Sequence, residues 1–241
     1  QPVAFFGRAE GNGFPGDPAN TESDTFRFST SLQGVTDTGF WEVSYTRAVN
    51  DFVFRVPDVL NTEFQLALYG LGGSNCDPIA GTPGVGDCEF FNPFATSYTT
   101  APNSDYVVSS FTGTEVIDSK ADLEVFEAIT SFDVFEMGGG FAALALGVQY
   151  RENQLSQDYD DLANQDSFTF VIGNPDIDGS QDVWAAFGEL ALPINDELDV
   201  QLAVRYEDYG GTIGSTVDPK LAISWRATDE FSLRGSISTS F

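Results

Sequence analysis

Hydrophobic and polar residues alternate with a period of two along much of the chain. The clearest segment is 198–207, in which Leu, Val and Tyr side chains alternate with Asp, Gln, Arg and Glu. The same alternation recurs over 219–226 and over 231–238. Alternation of this length is typical of β-strands that have one apolar and one polar face. The C-terminal third of the chain is therefore predicted to contain three consecutive strands.

Five further strands are predicted upstream, near 26–33, 41–46, 118–135, 142–151 and 183–194. Short polar or Gly-containing turns join the first strand to the second, the third to the fourth, the fifth to the sixth and the seventh to the eighth. Long connections at about 56–117, 152–180 and 210–216 join the remaining neighbours. The sequence thus predicts an all-β fold, an antiparallel meander of about eight strands with short turns at one end and long loops at the other.

Two classes of protein share this pattern. Short periplasmic turns, long extracellular loops and strands of about 9–11 residues are typical of outer-membrane barrels. A water-soluble β-sandwich also alternates, with its apolar face in the core. Most acidic residues here lie in loops, which favours the membrane barrel, and the soluble domain stays as the alternative. The aromatic residues suited to the interfacial girdles of a barrel are Trp41, Tyr45, Tyr150, Trp184, Tyr206, Tyr209, Trp225 and Phe231.

Composition narrows the chemistry that the chain can perform. Its 241 residues include 37 acidic and 10 basic side chains, which give a net charge of −27, and no His. The lack of His excludes Ser-His-Asp and Cys-His nucleophiles and His-ligated zinc from this chain. The negative charge argues against a nucleic-acid partner, because phosphates are neutralised by a basic surface. No pair of carboxylates stands in a recognisable catalytic setting, so we expect no enzymatic activity.

Several segments resemble TonB-dependent outer-membrane receptors, and they do so in the same order along the chain. Two consecutive barrel strands of that family resemble VWAAFGELALPI at 183–194 and LAVRYEDY at 202–209. The strands that follow resemble VDPKL at 217–221, Trp225-Arg226 and LRGSISTSF at 233–241. An earlier strand resembles ALALGVQYR at 143–151. A large loop of some of these receptors resembles the region with Leu66, Ala67, Leu68, Gly70, Cys76, Gly86, Cys88, Asn92, Pro93 and Phe94.

The resemblance implies a large barrel of about 22 strands with a plugged lumen, located in the bacterial outer membrane. It also implies uptake of a scarce nutrient (an iron chelate, a vitamin or an oligosaccharide) with energy supplied through TonB. We therefore expect residues 1–241 to form an arc of such a barrel, without the plug domain and the C-terminal strands. The implied partners are outer-membrane lipid, the remaining strands, the plug, TonB acting through the plug, and a small-molecule nutrient. The alternative is a small self-closed barrel, in which the first strand pairs with the eighth.

Two cysteines, Cys76 and Cys88, lie in a loop rich in Gly and Pro. At a cell surface, the location that the resemblance implies, such a pair is expected to form a disulfide. We interpret this disulfide as a structural staple that closes the loop rather than as a redox centre.

Six charged residues fall on the polar face of the predicted strands, which in a barrel is the face toward the lumen: Arg151, Arg205, Glu207, Lys220, Arg226 and Arg234. They could form a charge ladder paired with neighbouring side chains or with the plug, or they could contact the transported ligand directly. Both roles stay open at this point.

One acidic segment has the spacing of the first half of a calcium loop. Asp176, Asp178, Ser180 and Asp182 offer alternating oxygen ligands around a Gly turn, and hard cations bind several oxygens. No acidic residue stands at the twelfth position, which is Phe187. A solvated turn is therefore the alternative to a calcium site. A second acidic cluster in the same loop contains Asp158, Asp160, Asp161 and Asp166. No other cofactor is expected.

Overall fold

The protein consists mainly of long strands. The computed structural model describes residues 18–95 and 103–240. Its strands are β1 (Asn20–Val35), β2 (Gly39–Val59), β3 (Thr112–Met137), β4 (Gly140–Tyr159), β5 (Ile177–Asn195), β6 (Leu198–Asp208), β7 (Ser215–Arg226) and β8 (Ser232–Ser238). Its helices are α1 (Asn61–Leu68), α2 (Asp105–Ser109) and α3 (Asp161–Asn164). None of the helices in the described residues has the length and apolar character needed to cross a membrane.

All eight strands form one sheet in the order β1-β2-β3-β4-β5-β6-β7-β8. Each strand neighbours the strand before and after it in the sequence, as in an antiparallel meander. Within the described residues, β1 and β8 are the two edges, and the sheet is not closed. The predicted all-β arc of a barrel is therefore confirmed. The self-closed barrel of eight strands is wrong, because it required β1 to pair with β8.

Four short turns join the strands at one end of the meander, as the sequence predicted. Directly after the turn between β3 and β4, Gly140 begins β4 with φ +132°, a conformation that favours glycine. Between β5 and β6, the Asn195 side chain accepts a hydrogen bond from the backbone N–H of Leu198 at 2.9 Å. Between β7 and β8, the Thr228 hydroxyl accepts one from the N–H of Phe231 at 3.1 Å. Local side-chain bonds of this kind favour tight turns over continued strands.

The long connections are shorter than predicted, because the strands beside them extend further. The first spans 60–111 rather than 56–117, and its residues 96–102 lie outside the described part. The second spans 160–176 rather than 152–180, and the third spans 209–214. Every residue from 52 to 59 is at least half-buried, so both faces of β2 are covered there. A strand covered on both faces loses the alternation that marks it in a sequence.

The chain divides into two compact units. The strand unit contains 25–50, 121–155 and 179–240, and the loop unit contains 18–24, 51–120 and 156–178 in their described parts. The loop unit has its own hydrophobic core, which joins the end of β2 to α1 and α2. Its buried residues are Val59, Ala67, Phe91, Val107, Val108 and Phe111, with Phe64 and Leu68 packed against them. The rings of Phe64, Phe91 and Phe111 meet edge to face, with centroids 5.1–5.4 Å apart. These connections are therefore folded around a core of their own.

Candidate functional site

A polar network lies on one face of the strand unit and is centred on Arg205. The sheet register places Arg205 opposite Phe187 on β5 and opposite Asp218 on β7. Its guanidinium donates hydrogen bonds to Glu207 at 2.7 Å and to Gln149 on β4 at 3.2 Å. The guanidinium carbon also lies 5.3 Å from the centroid of the Phe187 ring, a cation–π distance. Arg205 thus connects side chains from three neighbouring strands.

The register places five of the six predicted residues on the face of Arg205. Directly opposed residues of an antiparallel pair share a face. Glu207 lies two residues after Arg205 on β6, and Lys220 on β7 opposes Ala203, which lies two residues before Arg205. Arg226 shares the face of Lys220 by alternation along β7. It opposes Ser232 on β8, and Arg234 lies two residues after Ser232. Arg151 lies two residues after Gln149 on β4 and interacts electrostatically with Glu207. The structure therefore brings all six to one face, and their orientation toward a lumen stays a prediction.

An open depression of about 710 Å³ lies on the same face, near the turns between β5 and β6 and between β7 and β8. Its charged lining residues are Asp199, Lys220 and Arg234, with Gln201, Ser224 and Ser236 among the polar ones. Ammonium and guanidinium groups beside hydroxyl donors can bind carboxylate or other oxygen acceptors. This surface can therefore hold an acidic or oxygen-rich segment or molecule.

The opposite face carries an aromatic ladder that crosses five strands. Phe28, Tyr45, Phe126, Tyr150 and Trp184 lie on β1 to β5 in that order, with successive ring centroids 6.4, 4.7, 6.5 and 4.7 Å apart. Tyr45, Tyr150 and Trp184 were predicted from the sequence as girdle residues, and the two phenylalanines were not. Only the pairing of the strands shows that all five stand at one level. A continuous aromatic row is typical of the boundary between hydrocarbon and headgroups.

Charged residues follow the aromatic ladder on the same face of β2 and β3. Arg47 lies two residues beyond Tyr45, and its guanidinium is 2.7 Å from Asp122 and 3.5 Å from Glu124. On β6 to β8 the same face is apolar and exposed, with Leu202 44% and Ile237 72% exposed. A soluble protein rarely leaves so broad an apolar surface uncovered. The change from apolar to charged residues is what a strand leaving a bilayer would show.

The loop unit contains the predicted disulfide between Cys76 and Cys88. Within the closed loop, the Asp77 carboxylate accepts hydrogen bonds from the backbone N–H groups of Ala80 and Ile79, which lower the pKa of Asp77. The sequence has no Lys or Arg between Arg55 and Lys120, and none between Arg151 and Arg205. The two longest connections, 60–111 and 160–176, therefore contain acidic side chains and no basic ones.

Three carboxyl groups of the loop unit were not singled out together by the sequence. Asp58 and Glu115 are 4% and 3% exposed, and Asp160 precedes α3. The Asp58 carboxylate accepts bonds from the N–H groups of Phe170 and Val171, 2.7 and 2.9 Å away. Burial raises the pKa of Glu115, and the charges of Asp160 and Asp58 raise it further. The one signal in the sequence was Asp58 itself, an acid placed within the apolar run Val56-Pro-Asp-Val-Leu60.

The four residues proposed for calcium are placed partly in a loop and partly in a strand. Asp176 precedes β5, and its carboxylate accepts bonds from the N–H of Tyr159 at 2.9 Å and from the Asn164 amide at 3.2 Å. Asp178, Ser180 and Asp182 alternate along β5. In residues 18–95 and 103–240, no group of three or more Asp, Glu or Cys side chains is arranged to hold a metal ion. The calcium site stays a prediction.

The second acidic cluster has structural roles at two of its four positions. The Asp160 side chain caps α3 by accepting bonds from the N–H groups of Leu162 and Ala163. Asp166 has φ +54° and accepts a bond from the N–H of Gly173 at 3.2 Å. These carboxylates shape the connection between β4 and β5.

Comparison with known proteins adds one finding. A family model described as TonB dependent receptor-like, beta-barrel matches residues 3–241. The match covers all eight strands and the connections between them. No curated protein matches the chain.

Proposed function

We propose, from the premise that the chain belongs to the TonB-dependent receptor-like β-barrel family, that it serves the TonB-dependent import of a scarce nutrient. Proteins of this family are outer-membrane receptors and transporters rather than enzymes. The observation that carries the proposal is the family match over residues 3–241. The exposed apolar face and its aromatic ladder support it, because a bilayer would cover them.

The two faces of the strand unit suit different partners in this function. The aromatic ladder and the apolar side chains of β6 to β8 would contact outer-membrane lipid. The face of Arg205 would line the lumen and contact the plug domain, through which TonB acts. The charged depression near Lys220 and Arg234 supports this assignment, because its donors suit the polar groups of a plug segment or a passing solute.

The nutrient would be a small molecule such as an iron chelate, a vitamin or an oligosaccharide. The loop unit would meet it first, because long connections of outer-membrane barrels face the cell exterior. A core and a disulfide hold these connections in shape, and a preformed surface lowers the entropy lost on binding.

Uptake by living cells tests this proposal. The gene is deleted in the bacterium that carries it, and a complemented strain and a tonB-deleted strain are prepared alongside. Accumulation of radiolabelled iron chelates, cobalamin and maltooligosaccharides is then measured in all three strains. We expect one nutrient class to be lost in both deletions and restored by complementation. Wild-type uptake of every nutrient in the gene deletion, or uptake that survives loss of TonB, would contradict the proposal.

A further inference from the structure

Glu115, near the start of β3, is a buried carboxyl group without a partner. It is 3% exposed, and its side chain forms no hydrogen bond or ion pair with the described residues. Leu60 and Phe168 lie directly over Gly113, two positions earlier on the same face of β3. A carboxylate that is 3% exposed loses most of its hydration, and no hydrogen bond within the described residues compensates for that loss. The neutral, protonated form is therefore the one that this position favours.

Two further carboxyl groups act on Glu115 from the elements packed beside it. Asp58 reaches it from the end of β2, and Asp160 reaches it from the residue before α3. Within the part of the chain that the structure describes, no basic side chain acts on Glu115, and Arg55 is paired with Glu22. Ionisation of Glu115 would thus place a third negative charge beside two others, which electrostatic repulsion opposes.

Both neighbouring carboxylates hold the connection 160–176 in place. Asp58 binds the backbone of Phe170 and Val171, more than a hundred residues along the chain. Asp160 accepts a bond from the N–H of Val116 at 2.6 Å, and its own N–H donates to the carbonyl of Val116 at 3.1 Å. These bonds tie the second long connection to β2 and β3. Repulsion from an ionised Glu115 would act on the same carboxylates that make these bonds.

We propose that Glu115, Asp58 and Asp160 form a proton-dependent clamp. With Glu115 protonated, the connection 160–176 stays bound to β2 and β3. When Glu115 releases its proton to solvent, repulsion displaces the carboxylates of Asp58 and Asp160, and residues 168–171 detach. The connection 160–176 is then held below the raised pKa of Glu115 and loosens as the pH rises through it.

The direction of the pH dependence follows from linkage. The pKa of Glu115 in the folded protein is raised above its ordinary value of 4.5 by burial and by the two acidic neighbours. Its contribution to stability is therefore complete below pH 4.5 and is lost as the pH rises through the raised pKa. Because one proton is released on opening, the opening constant increases by up to about tenfold per pH unit within this window.

Hydrogen–deuterium exchange of the full-length protein in nanodiscs tests the clamp. Exchange at the amides of Phe170 and Val171 is compared between wild type and Glu115→Gln at each pH, so that the intrinsic pH dependence of exchange cancels. We expect equal rates near pH 4.5 and faster exchange in the wild type as the pH rises, by up to about tenfold per unit. Equal rates at every pH would overturn the proposal.

Asp118→Asn is the matched control, because it removes one negative charge from an exposed carboxyl on the same strand. It should behave as the wild type, and a control that also abolishes the pH dependence would assign the effect to net charge. A second measurement needs no variant. Infrared spectra of the wild type should show a protonated carboxyl band that persists above pH 4.5 and disappears at higher pH, and its absence would overturn the clamp.

Discussion

At the scale of single residues, Asp58 shows how a buried carboxylate can organise a connection that is distant in sequence. Its side chain accepts hydrogen bonds from its neighbour Val59 at 2.6 Å and from Phe170 and Val171 across the loop unit. A carboxylate has enough lone pairs to accept all three bonds. Asp58 therefore binds the backbone of this distant segment, as the carbonyl groups of a neighbouring strand would.

We predict that Asp58→Ala weakens the attachment of 168–171 to the loop unit. Hydrogen bonds to a charged group contribute about 1.5–3 kcal/mol each, and relief of repulsion on Glu115 offsets part of that loss. We expect a net loss of about 2 kcal/mol in the free energy of local opening, measured by hydrogen exchange at Phe170 and Val171. Asp118→Ala, at an exposed position of β3, serves as the control. An equal loss in both variants would contradict the prediction.

These residue roles could not be predicted from the sequence. Asp58 and Asp160 act on Glu115 because the fold brings the end of β2 and the residue after β4 to the start of β3. No spacing rule links positions so far apart. The charges on the face of Arg205 could be predicted, because alternation alone decides which side of a strand a residue occupies.

At the scale of elements, the strands were predictable where one face is polar and the other apolar. The alternation over 198–207 corresponds to β6, Leu198–Asp208, almost to the residue. The end of β2 was missed because its residues 52–59 are covered on both faces, which removes the alternation there. The helices were missed because eight, five and four residues are too few to show a helical period.

The disulfide is expected to stabilise one element of the loop unit. Replacing both Cys76 and Cys88 by Ser releases a closed loop, and a constraint of this size stabilises by about 2–4 kcal/mol. We expect faster hydrogen exchange and proteolytic cleavage within 77–87 in the double variant. Exchange in β6 of the same sample is the internal control and should not change. Unchanged protection of 77–87 would show that the neighbouring backbone bonds, such as Gly84 N–H to Gly70 O at 2.8 Å, suffice.

At the scale of the whole molecule, the family follows from the sequence together with the match over 3–241. The segments that resemble TonB-dependent receptors fall on β4 to β8 and on the disulfide loop. An open sheet could be expected from the resemblance but not from alternation, because a closed barrel and an arc alternate in the same way. The nutrient cannot be derived from strand patterns, since specificity depends on the loops and the plug.

We predict that an added cation destabilises the protein on the apolar face of β6 and is tolerated on the polar face. Leu202→Arg places a cation on the apolar face, where lipid exposure near the bilayer centre costs about 2–4 kcal/mol. Ala203→Arg places the same cation on the face of Arg205, opposite Glu189, where water or the plug is expected. Folding into vesicles of phosphatidylcholine, followed by gel mobility and urea titration, measures both. Equal losses would contradict a lipid-facing apolar surface.

The lack of basic side chains in the two longest connections has a consequence for proteolysis of the protein. Trypsin-like enzymes cleave after Lys and Arg, and neither residue occurs between Arg55 and Lys120 or between Arg151 and Arg205. Such enzymes therefore cannot cleave within either connection, whether its backbone is held in place or detached. A tryptic digest would release each as one long acidic peptide, so surface mapping of these loops calls for pepsin or for a protease that cleaves at Asp and Glu.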